Sequence, residues 1–225
     1  MGEIKLHIVY HCFCVNNWKS IVEEQFQYLR GRKIDCTLIG AEEDENLIQQ
    51  IAKKSNIQLT CIRFKSPEVF EHEAMILACE ISKRHPSDYL LYFHTKGSSV
   101  NDKLRVNWRN YMNELLIEQL DFHFEQLKSS SCNVTGMLYT KIWMDRDLKW
   151  KSTGFFAGNF WIASCHYITS LPDYTTLRKK HNNNRYLAER YLAWNNPDIR
   201  FIDQVKAYGK SWFSNHISKR LNRLE

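Results

Sequence analysis

The residues Asp88-Tyr-Leu-Leu-Tyr-Phe-His-Thr-Lys-Gly-Ser-Ser99 decide the fold of this chain. Tyr89 to Phe93 form a continuous apolar run, which is typical of a strand buried on both faces of a parallel sheet. The second half of the stretch contains a short polar loop, His94-Thr-Lys-Gly97, at the carboxyl end of that strand. Open α/β sheets bind ligands at this edge. The stretch predicts a central strand with a ligand-binding loop, although a plain exposed turn has the same composition.

Three strand–helix units precede the central strand. Apolar strand patterns cover residues 5–15, 34–39 and 59–64, and each is followed by apolar residues at helical spacing. The third helix is predicted to begin at Ser66-Pro-Glu68 and to end at His85. This order predicts parallel strands with right-handed crossovers. The predicted fold class is therefore α/β, with a mostly parallel, Rossmann-like sheet flanked by helices in a single domain.

The second half of the chain carries weaker patterns. It predicts a helix over 104–127, strands over 134–139 and 158–163, and a helix over 185–194. Residues 142–153 have no period and are expected to form a loop over the pocket. The tail, 217–225, is basic and amphipathic. Such a tail could rest on an anionic membrane or lead into a linker, but segments this short usually pack on their own domain.

Composition narrows the class of protein. Of the 225 residues, 44% are hydrophobic and 13% are aromatic, which is enough for a hydrophobic core. The length suits one large domain or one domain with an appendage. The formal net charge of +6 favours an anionic partner: nucleic acid, an anionic bilayer or a phosphorylated small molecule. The seven cysteines form no C-x-x-C pair, which favours buried free thiols in a reducing compartment. With no signal-peptide core and no long apolar run, we expect a soluble, cytoplasmic protein.

Six short motifs occur in an order that resembles a group of glycosyltransferases from bacterial capsule and lipopolysaccharide pathways, with related domains in large viruses. The motifs are Asn16-Asn-Trp18, Phe70-Glu71, Leu91-Tyr-Phe-His-Thr-Lys-Gly97, Asn107-Trp-Arg109 with Met112, Gly158-Asn-Phe-Trp161 and Arg185-Tyr-Leu-Ala-Glu189. The resemblance spans roughly residues 7 to 195. It implies a GT-A-like fold and transfer of a sugar from a nucleotide-sugar, most simply a UDP-sugar, to a growing surface polysaccharide or lipid-linked glycan, with inversion favoured. Residues 1–100 would be the nucleotide-binding half and 101–216 the acceptor and catalytic half.

The resemblance also implies a set of residues that bind the donor. These are Tyr10, His11, His94, Thr95, Lys96, Gly97 and Arg109. Tyr10 and His11 end the first strand, where the nucleotide base would rest, although His11 could equally be a core histidine. Lysine supplies a compact positive charge for a diphosphate, and glycine lets the backbone approach an oxyanion.

One departure from the GT-A pattern concerns the metal. These enzymes usually end the central strand with Asp-x-Asp, which holds a divalent ion on the donor, whereas this strand ends in His94-Thr-Lys96. We expect Lys96, helped by Arg109, to take over part or all of the electrostatic role of Mn²⁺ or Mg²⁺. A metal stays an alternative, with Asp145, Asp147 and His216 as its ligands. The triplet Asp145-Arg-Asp147 is more often a surface or lid pair.

An inverting transferase needs a carboxylate that takes the proton from the acceptor hydroxyl. Glu189 is the first candidate, because it lies downstream of Gly158-Asn-Phe-Trp161, where GT-A enzymes usually have this carboxylate. Asp147 is the second candidate and Glu71 the third. Glu189 could instead pair with Arg185 one helical turn away, for a few tenths of a kcal/mol. Contacts to the sugar or the acceptor are expected from Asn159, Trp161, Glu71 and Arg185. A buried aromatic strand would also explain part of Gly158-Asn-Phe-Trp161.

Two other functions stay open. The chain could be a catalytically inactive sugar- or nucleotide-binding domain of a larger polysaccharide synthase, because Asp-x-Asp is missing. It could also be a nucleic-acid-binding module, but its lysines and arginines are scattered and no helix has a basic face with interleaved aromatics. We expect a nucleotide-sugar and a glycan or lipid-linked acceptor as partners and no nucleic acid. The expected location is cytoplasmic, with peripheral contact at the inner face of the membrane as an alternative.

Overall fold

The computed structural model describes residues 3–99, 103–141, 154–194 and 199–204. Within these ranges the strands are β1 (Leu6–Phe13), β2 (Lys33–Ile39), β3 (Gln58–Phe64), β4 (Tyr89–His94), β5 (Val134–Gly136), β6 (Tyr139–Lys141), β7 (Gly154–Phe156), β8 (Trp161–Ser164) and β9 (Phe201–Asp203). The α-helices are α1 (Trp18–Tyr28), α2 (Glu42–Lys54), α3 (His72–Arg84), α4 (Lys103–Met112), α5 (Leu120–Ser129), α6 (Cys165–Ser170), α7 (Tyr174–Lys180) and α8 (Leu187–Arg190). None of the described helices is both long and apolar enough to cross a bilayer.

Strands from both halves of the chain form one sheet. It has seven strands in the order β3-β2-β1-β4-β8-β5-β9, and β6 pairs with β7 in a separate two-stranded sheet. Only β8 runs antiparallel to its neighbours among the strand pairs described in the main sheet. The predicted fold class is confirmed: a mostly parallel α/β sheet flanked by helices in a single domain.

Helices cover both faces of this sheet. One hydrophobic core contains apolar side chains of α1, α2 and α5, and the other contains those of α3, α6, α7 and α8. Side chains of a strand alternate between the two faces, so Tyr10 belongs to the first core and Val9 to the second. His11, two residues after Val9, therefore lies on the α3 face of the sheet.

The order of the strands reverses at β1. The chain moves outward from β1 through β2 to β3, and it then places β4 on the other side of β1. Such a reversal leaves a crevice at the carboxyl ends of the two strands, which is the usual ligand site of an open α/β sheet. The register pairs His11 of β1 with His94 of β4, so the two histidines end side by side at this crevice.

The helix predicted to begin at Ser66 is interrupted, so that prediction was wrong. A short 3-10 turn covers Pro67–Val69, and α3 begins only at His72. Between them Phe70 has φ 47° and ψ −142°, a conformation that bulky residues rarely adopt. Backbone strain of this kind is concentrated at functional sites. The interruption places Glu71 at the amino end of α3, next to the crevice.

The predictions for the second half of the chain were less accurate. The predicted helix over 104–127 is α4 and α5 joined by a π-helical segment, Asn113–Glu118. The predicted strand over 134–139 is divided between two sheets, because the Asp203 carboxylate accepts the backbone N–H groups of residues 138 and 139 and redirects the chain. The predicted helix over 185–194 is α8 followed by a 3-10 turn. The predicted loop over 142–153 and the tail, 217–225, lie outside the described residues.

Candidate active site at the carboxyl edge of the sheet

A cavity of about 350 Å³ opens where the reversal of strand order predicts a ligand site. Eight residues singled out from the sequence line it: His11, Glu71, His94, Thr95, Lys96, Gly97, Arg185 and Glu189. Seven further lining residues were not predicted as site residues: Phe13, Ile39, Pro67, Phe70, Ser98, Ser99 and Arg105. A more open concavity of about 550 Å³ lies at the opposite edge, near Gly31 and Gln58, and no acidic or histidine side chain lines it. The chemistry is therefore concentrated at the carboxyl edge.

The loop after β4 is tied firmly to the rest of the sheet. The Thr95 backbone N–H donates to the His11 carbonyl (3.0 Å), and the Thr95 hydroxyl accepts from the Phe13 backbone N–H (2.9 Å). Gly97 has φ +83°, a conformation that favours glycine. In the described part of the chain, no carboxylate lies within ion-pairing distance of the Lys96 ammonium. The loop thus presents a positive charge on a fixed backbone.

Arg109 holds the loop after β4 from its buried side. Its side chain is 4% exposed, and it does not line the cavity. One terminal nitrogen donates to the Lys96 carbonyl (3.3 Å), and the other pairs with the Glu24 carboxylate (3.3 Å). The expected contact between Arg109 and a diphosphate is therefore not formed directly, because the guanidinium already holds the loop and a carboxylate.

Glu71 is the most constrained carboxylate of the cavity. Its Oε2 accepts from the Tyr92 hydroxyl (2.6 Å) and from the Asn159 amide nitrogen (2.6 Å), and its Oε1 lies 3.9 Å from His94 Nδ1. Burial alone would raise the pKa of Glu71, but His94, His11, the Tyr92 hydroxyl and Lys96 together lower it to about 2. Glu71 is therefore a fixed anion at neutral pH.

The two histidines of the cavity are neutral at pH 7. His94 Nε2 donates to the Gly158 carbonyl (2.8 Å), and burial lowers the pKa of His94 despite the nearby Glu71 charge. His11 Nδ1 lies 3.0 Å from the Thr37 hydroxyl, and burial lowers the pKa of His11 to about 4. These imidazoles shape the cavity wall and offer hydrogen bonds without adding positive charge.

Glu189 differs from Glu71 in its electrostatic environment. It lies on the short helix α8, half-buried at the cavity wall. Burial and, second, the negative charge of Glu71 raise the pKa of Glu189, and Lys96 and Arg185 only partly offset this. One cavity thus contains a carboxylate with a lowered pKa and another with a raised pKa, an arrangement typical of acid–base sites.

Three predicted residues lie behind the cavity wall. Tyr10 is fully buried, and its hydroxyl donates to Gln25 Oε1 (2.7 Å). Trp161 is 1% exposed, stacks on Tyr92, and donates from its indole nitrogen to Asn159 Oδ1 (3.0 Å). Asn159 is itself buried and uses its amide nitrogen on the Glu71 carboxylate. The structure does not place Tyr10 or Trp161 where a ligand could touch them, and it makes Asn159 a residue that positions Glu71.

The described residues do not test the metal alternative of the sequence analysis. Among the described residues, the carboxylates and imidazoles of the cavity do not form a group of three with all donor atoms within 4.8 Å of one another. Asp145, Asp147 and His216, the predicted metal ligands, lie outside the described residues. No three described residues of the cavity are placed to hold an ion by themselves, and no step below depends on one.

Comparisons with known proteins give a family but no activity. The model of one family, described as a domain of unknown function (DUF8361), matches residues 10–216. The comparison with curated proteins finds no relative of this chain.

Several solved structures resemble the fold distantly. HddC from Yersinia pseudotuberculosis is 14% identical over 75% of this chain and 81% of its own, with a TM-score of 0.42. The 4-diphosphocytidyl-2C-methyl-D-erythritol synthase from Anaerococcus prevotii is 9% identical over 88% and 86%, with a TM-score of 0.39. Mouse xyloside xylosyltransferase 1 is 7% identical over 96% and 92%, with a TM-score of 0.43. At these levels, the likeness carries no argument about what this chain binds.

Proposed function

The chain belongs to the family described as a domain of unknown function (DUF8361), and we propose that it is a glycosyltransferase that uses a nucleotide-diphosphate sugar. The proposed donor is a UDP-sugar, and the proposed acceptor is a hydroxyl of a growing surface polysaccharide or lipid-linked glycan. The observation that carries the proposal is one cavity that combines two carboxylates of opposite pKa shift with Lys96, whose ammonium has no ion-pair partner among the described residues.

The loop after β4 would bind the diphosphate of the donor. Lys96 supplies a positive charge, and the backbone of Gly97 lines the cavity beside it. At the rim, Phe70 is 39% exposed and offers an aromatic face to a base or a sugar ring. Its strained backbone supports a binding role, because a free turn would relax it.

Glu189 would act as the general base. The acceptor hydroxyl oxygen attacks the anomeric carbon, its proton passes to a Glu189 oxygen, and the bond from the anomeric carbon to the phosphate oxygen breaks. The nucleoside diphosphate leaves with the electron pair of that bond, and Lys96 meets the negative charge that develops on it. A raised pKa makes Glu189 a stronger base than an ordinary carboxylate.

Glu71 suits a different role in the same reaction. A carboxylate with a pKa of about 2 is a weak base, so it is poorly matched to proton abstraction. Its Oε2 is fully used by Tyr92 and Asn159, while its Oε1 stays available beside the cavity. We assign Glu71 to binding of sugar hydroxyl groups. Glu189 is therefore preferred over Glu71 as the base.

Binding is tested with a thermal-shift panel of UDP-, GDP-, dTDP- and CMP-sugars, each with and without Mn²⁺. A ligand that binds only the folded chain raises Tm by mass action. We expect one nucleotide class to raise Tm, and we expect Lys96→Met to weaken its binding about 10- to 100-fold, the value of a charge-assisted contact. The exposed Lys54 on α2 gives the matched control, Lys54→Met. If Lys96→Met and Lys54→Met bind equally well, the donor site is elsewhere.

Catalysis is tested separately on the nucleotide identified by that panel. Glu189→Gln is expected to lower turnover about 10²- to 10⁴-fold with little change in donor affinity. The exposed Glu23 on α1 gives the control, Glu23→Gln. Tight donor binding without transfer or donor hydrolysis would instead favour the inactive binding domain considered above.

A further inference from the structure

A second cluster of titratable side chains lies at the amino edge of the sheet, opposite the cavity. His7 is near the start of β1, Asp88 directly precedes β4, and His85 follows the end of α3. His7 and His11 are four residues apart on one strand, which separates this cluster from the cavity by about 13 Å. The cluster is therefore independent of the proposed transfer reaction.

Two imidazoles converge on a single carboxylate oxygen. His7 Nε2 lies 2.9 Å from Asp88 Oδ2, and His85 Nδ1 lies 3.9 Å from the same oxygen. The two rings stack with centroids 4.6 Å apart and an angle of 27° between their planes. Among the described residues, this is the only group of three His, Cys, Asp or Glu side chains whose donor atoms all lie within 4.8 Å of one another.

A simple ion pair explains only part of this arrangement. The His7–Asp88 contact is an ordinary hydrogen bond and would be formed without any ligand. The His85 nitrogen is beyond hydrogen-bond distance from Asp88, yet its ring lies flat on His7 and its Nδ1 faces the same oxygen. If both imidazoles were protonated, their stacked rings would repel each other. A cation between the three donor atoms would satisfy all of them at once.

We propose that His7, His85 and Asp88 bind Zn²⁺ or a chemically similar divalent transition-metal ion. Two imidazole nitrogens and one carboxylate oxygen are ligands that such ions prefer, whereas Mg²⁺ and Ca²⁺ prefer oxygen ligands. Ligand atoms at about 2.1 Å from a tetrahedral ion are about 3.4 Å apart, a value between the two observed distances. Small side-chain adjustments would complete the site, with water in the remaining position.

The surroundings of the cluster suit an ion that enters from solvent. The exposed fractions of the side chains are 21% for His7, 14% for Asp88 and 46% for His85. The Lys5 backbone N–H donates to Asp88 Oδ1 (3.1 Å), which holds the carboxylate with Oδ2 toward the imidazoles. Outer contacts of this kind fix the orientation of metal ligands. A bound ion would link β1, β4 and the end of α3.

The test uses the untagged chain, titrated with Zn²⁺ in a calorimeter and with Co²⁺ in a spectrophotometer. We expect one ion per chain and a Co²⁺ spectrum without sulfur-to-metal charge transfer, which separates this site from the seven cysteines. His85→Ala and Asp88→Asn should each weaken binding by more than the 10- to 100-fold typical of outer contacts. His166→Ala, at an exposed histidine of α6, should have no effect.

Three results would overturn the proposal. They are the absence of Zn²⁺ binding, binding that the His85 and Asp88 variants leave unchanged, and a Co²⁺ spectrum dominated by thiolate ligands. Far-UV circular dichroism and Tm without metal show whether each variant is folded. If Asp88→Asn unfolds the chain, His85→Ala decides, because that side chain is half exposed and makes no hydrogen bond to Asp88.

Discussion

Replacing Glu71 with glutamine should destabilise the protein by about 2–3 kcal/mol at pH 7. Two calculations give this magnitude. The difference between a pKa of 4.5 and one of about 2 corresponds to about 3 to 4 kcal/mol, at about 1.4 kcal/mol per pKa unit. This value is an upper bound at pH 7, because part of the pKa shift comes from the charges of protonated His94 and His11, which are neutral at that pH. Alternatively, two hydrogen bonds of 2.6 Å to a carboxylate each become about 1 kcal/mol weaker when the acceptor is neutral, which gives about 2 kcal/mol.

The pH dependence of the stability lost in Glu71→Gln shows whether the charge of Glu71 or the packing of its side chain is responsible. A carboxylate whose pKa is lowered by folding stabilises the folded state above its unfolded pKa, here 4.5, and loses that contribution as pH falls toward 2. The difference between wild type and Glu71→Gln should therefore be constant from pH 7 to about 5.5. At pH 3 it should fall to less than half of its value at pH 7.

Urea unfolding at pH 7, 5.5 and 3 measures the difference directly. The control is Glu68→Gln, at an exposed glutamate three residues earlier in the chain, which should change stability by less than about 0.5 kcal/mol at every pH. A Glu71→Gln protein as stable as wild type at pH 7 would refute the reasoning. A loss that stays the same at pH 3 would show that packing, not the charge of Glu71, is responsible.

Three further outcomes follow from the cavity. The pH profile of turnover should have an acidic limb whose midpoint lies above pH 4.5, because the base Glu189 has a raised pKa and must be ionised to act. A midpoint at or below pH 4.5 would argue against Glu189 as the base. Raising ionic strength should weaken donor binding less for Lys96→Met than for Lys54→Met, because only Lys96→Met lacks the cation at the diphosphate. The measurement is the dissociation constant of the donor at increasing salt concentration. Gly97→Ala should destabilise the chain by about 1–3 kcal/mol in urea unfolding, because φ is +83° and the new methyl would lie 3.4 Å from Arg105 Cβ; unchanged stability would show that the loop relaxes freely.

The fold was largely predictable because its signals are local. The apolar run before His94 and the three strand–helix units upstream gave the parallel sheet, and the polar loop after β4 gave the location of the cavity. The break at Phe70 was not predictable, since a phenylalanine at positive φ has no signature in sequence. The strain there depends on tertiary contacts that the local pattern does not contain.

Errors at the site have a common physical origin. Neighbouring residues of a strand point to opposite faces, so Tyr10 and His11 could not both reach one cavity. The same alternation places Trp161 in the core beside Tyr92. Strand periodicity alone could have shown that only one of Tyr10 and His11 lines the cavity. The role of Arg109 depends on Glu24, far away in the chain, and no spacing rule connects these two residues.

The central claim is that a nucleotide-sugar diphosphate lies at the carboxyl edge of the sheet, against the loop after β4. A crystal structure of the chain with the nucleotide-sugar selected by the thermal-shift panel tests it most directly. We expect a phosphate oxygen within about 3 Å of Lys96 Nζ and the anomeric carbon facing Glu189. A nucleotide bound elsewhere, with the Lys96 ammonium in bulk solvent, would contradict the account.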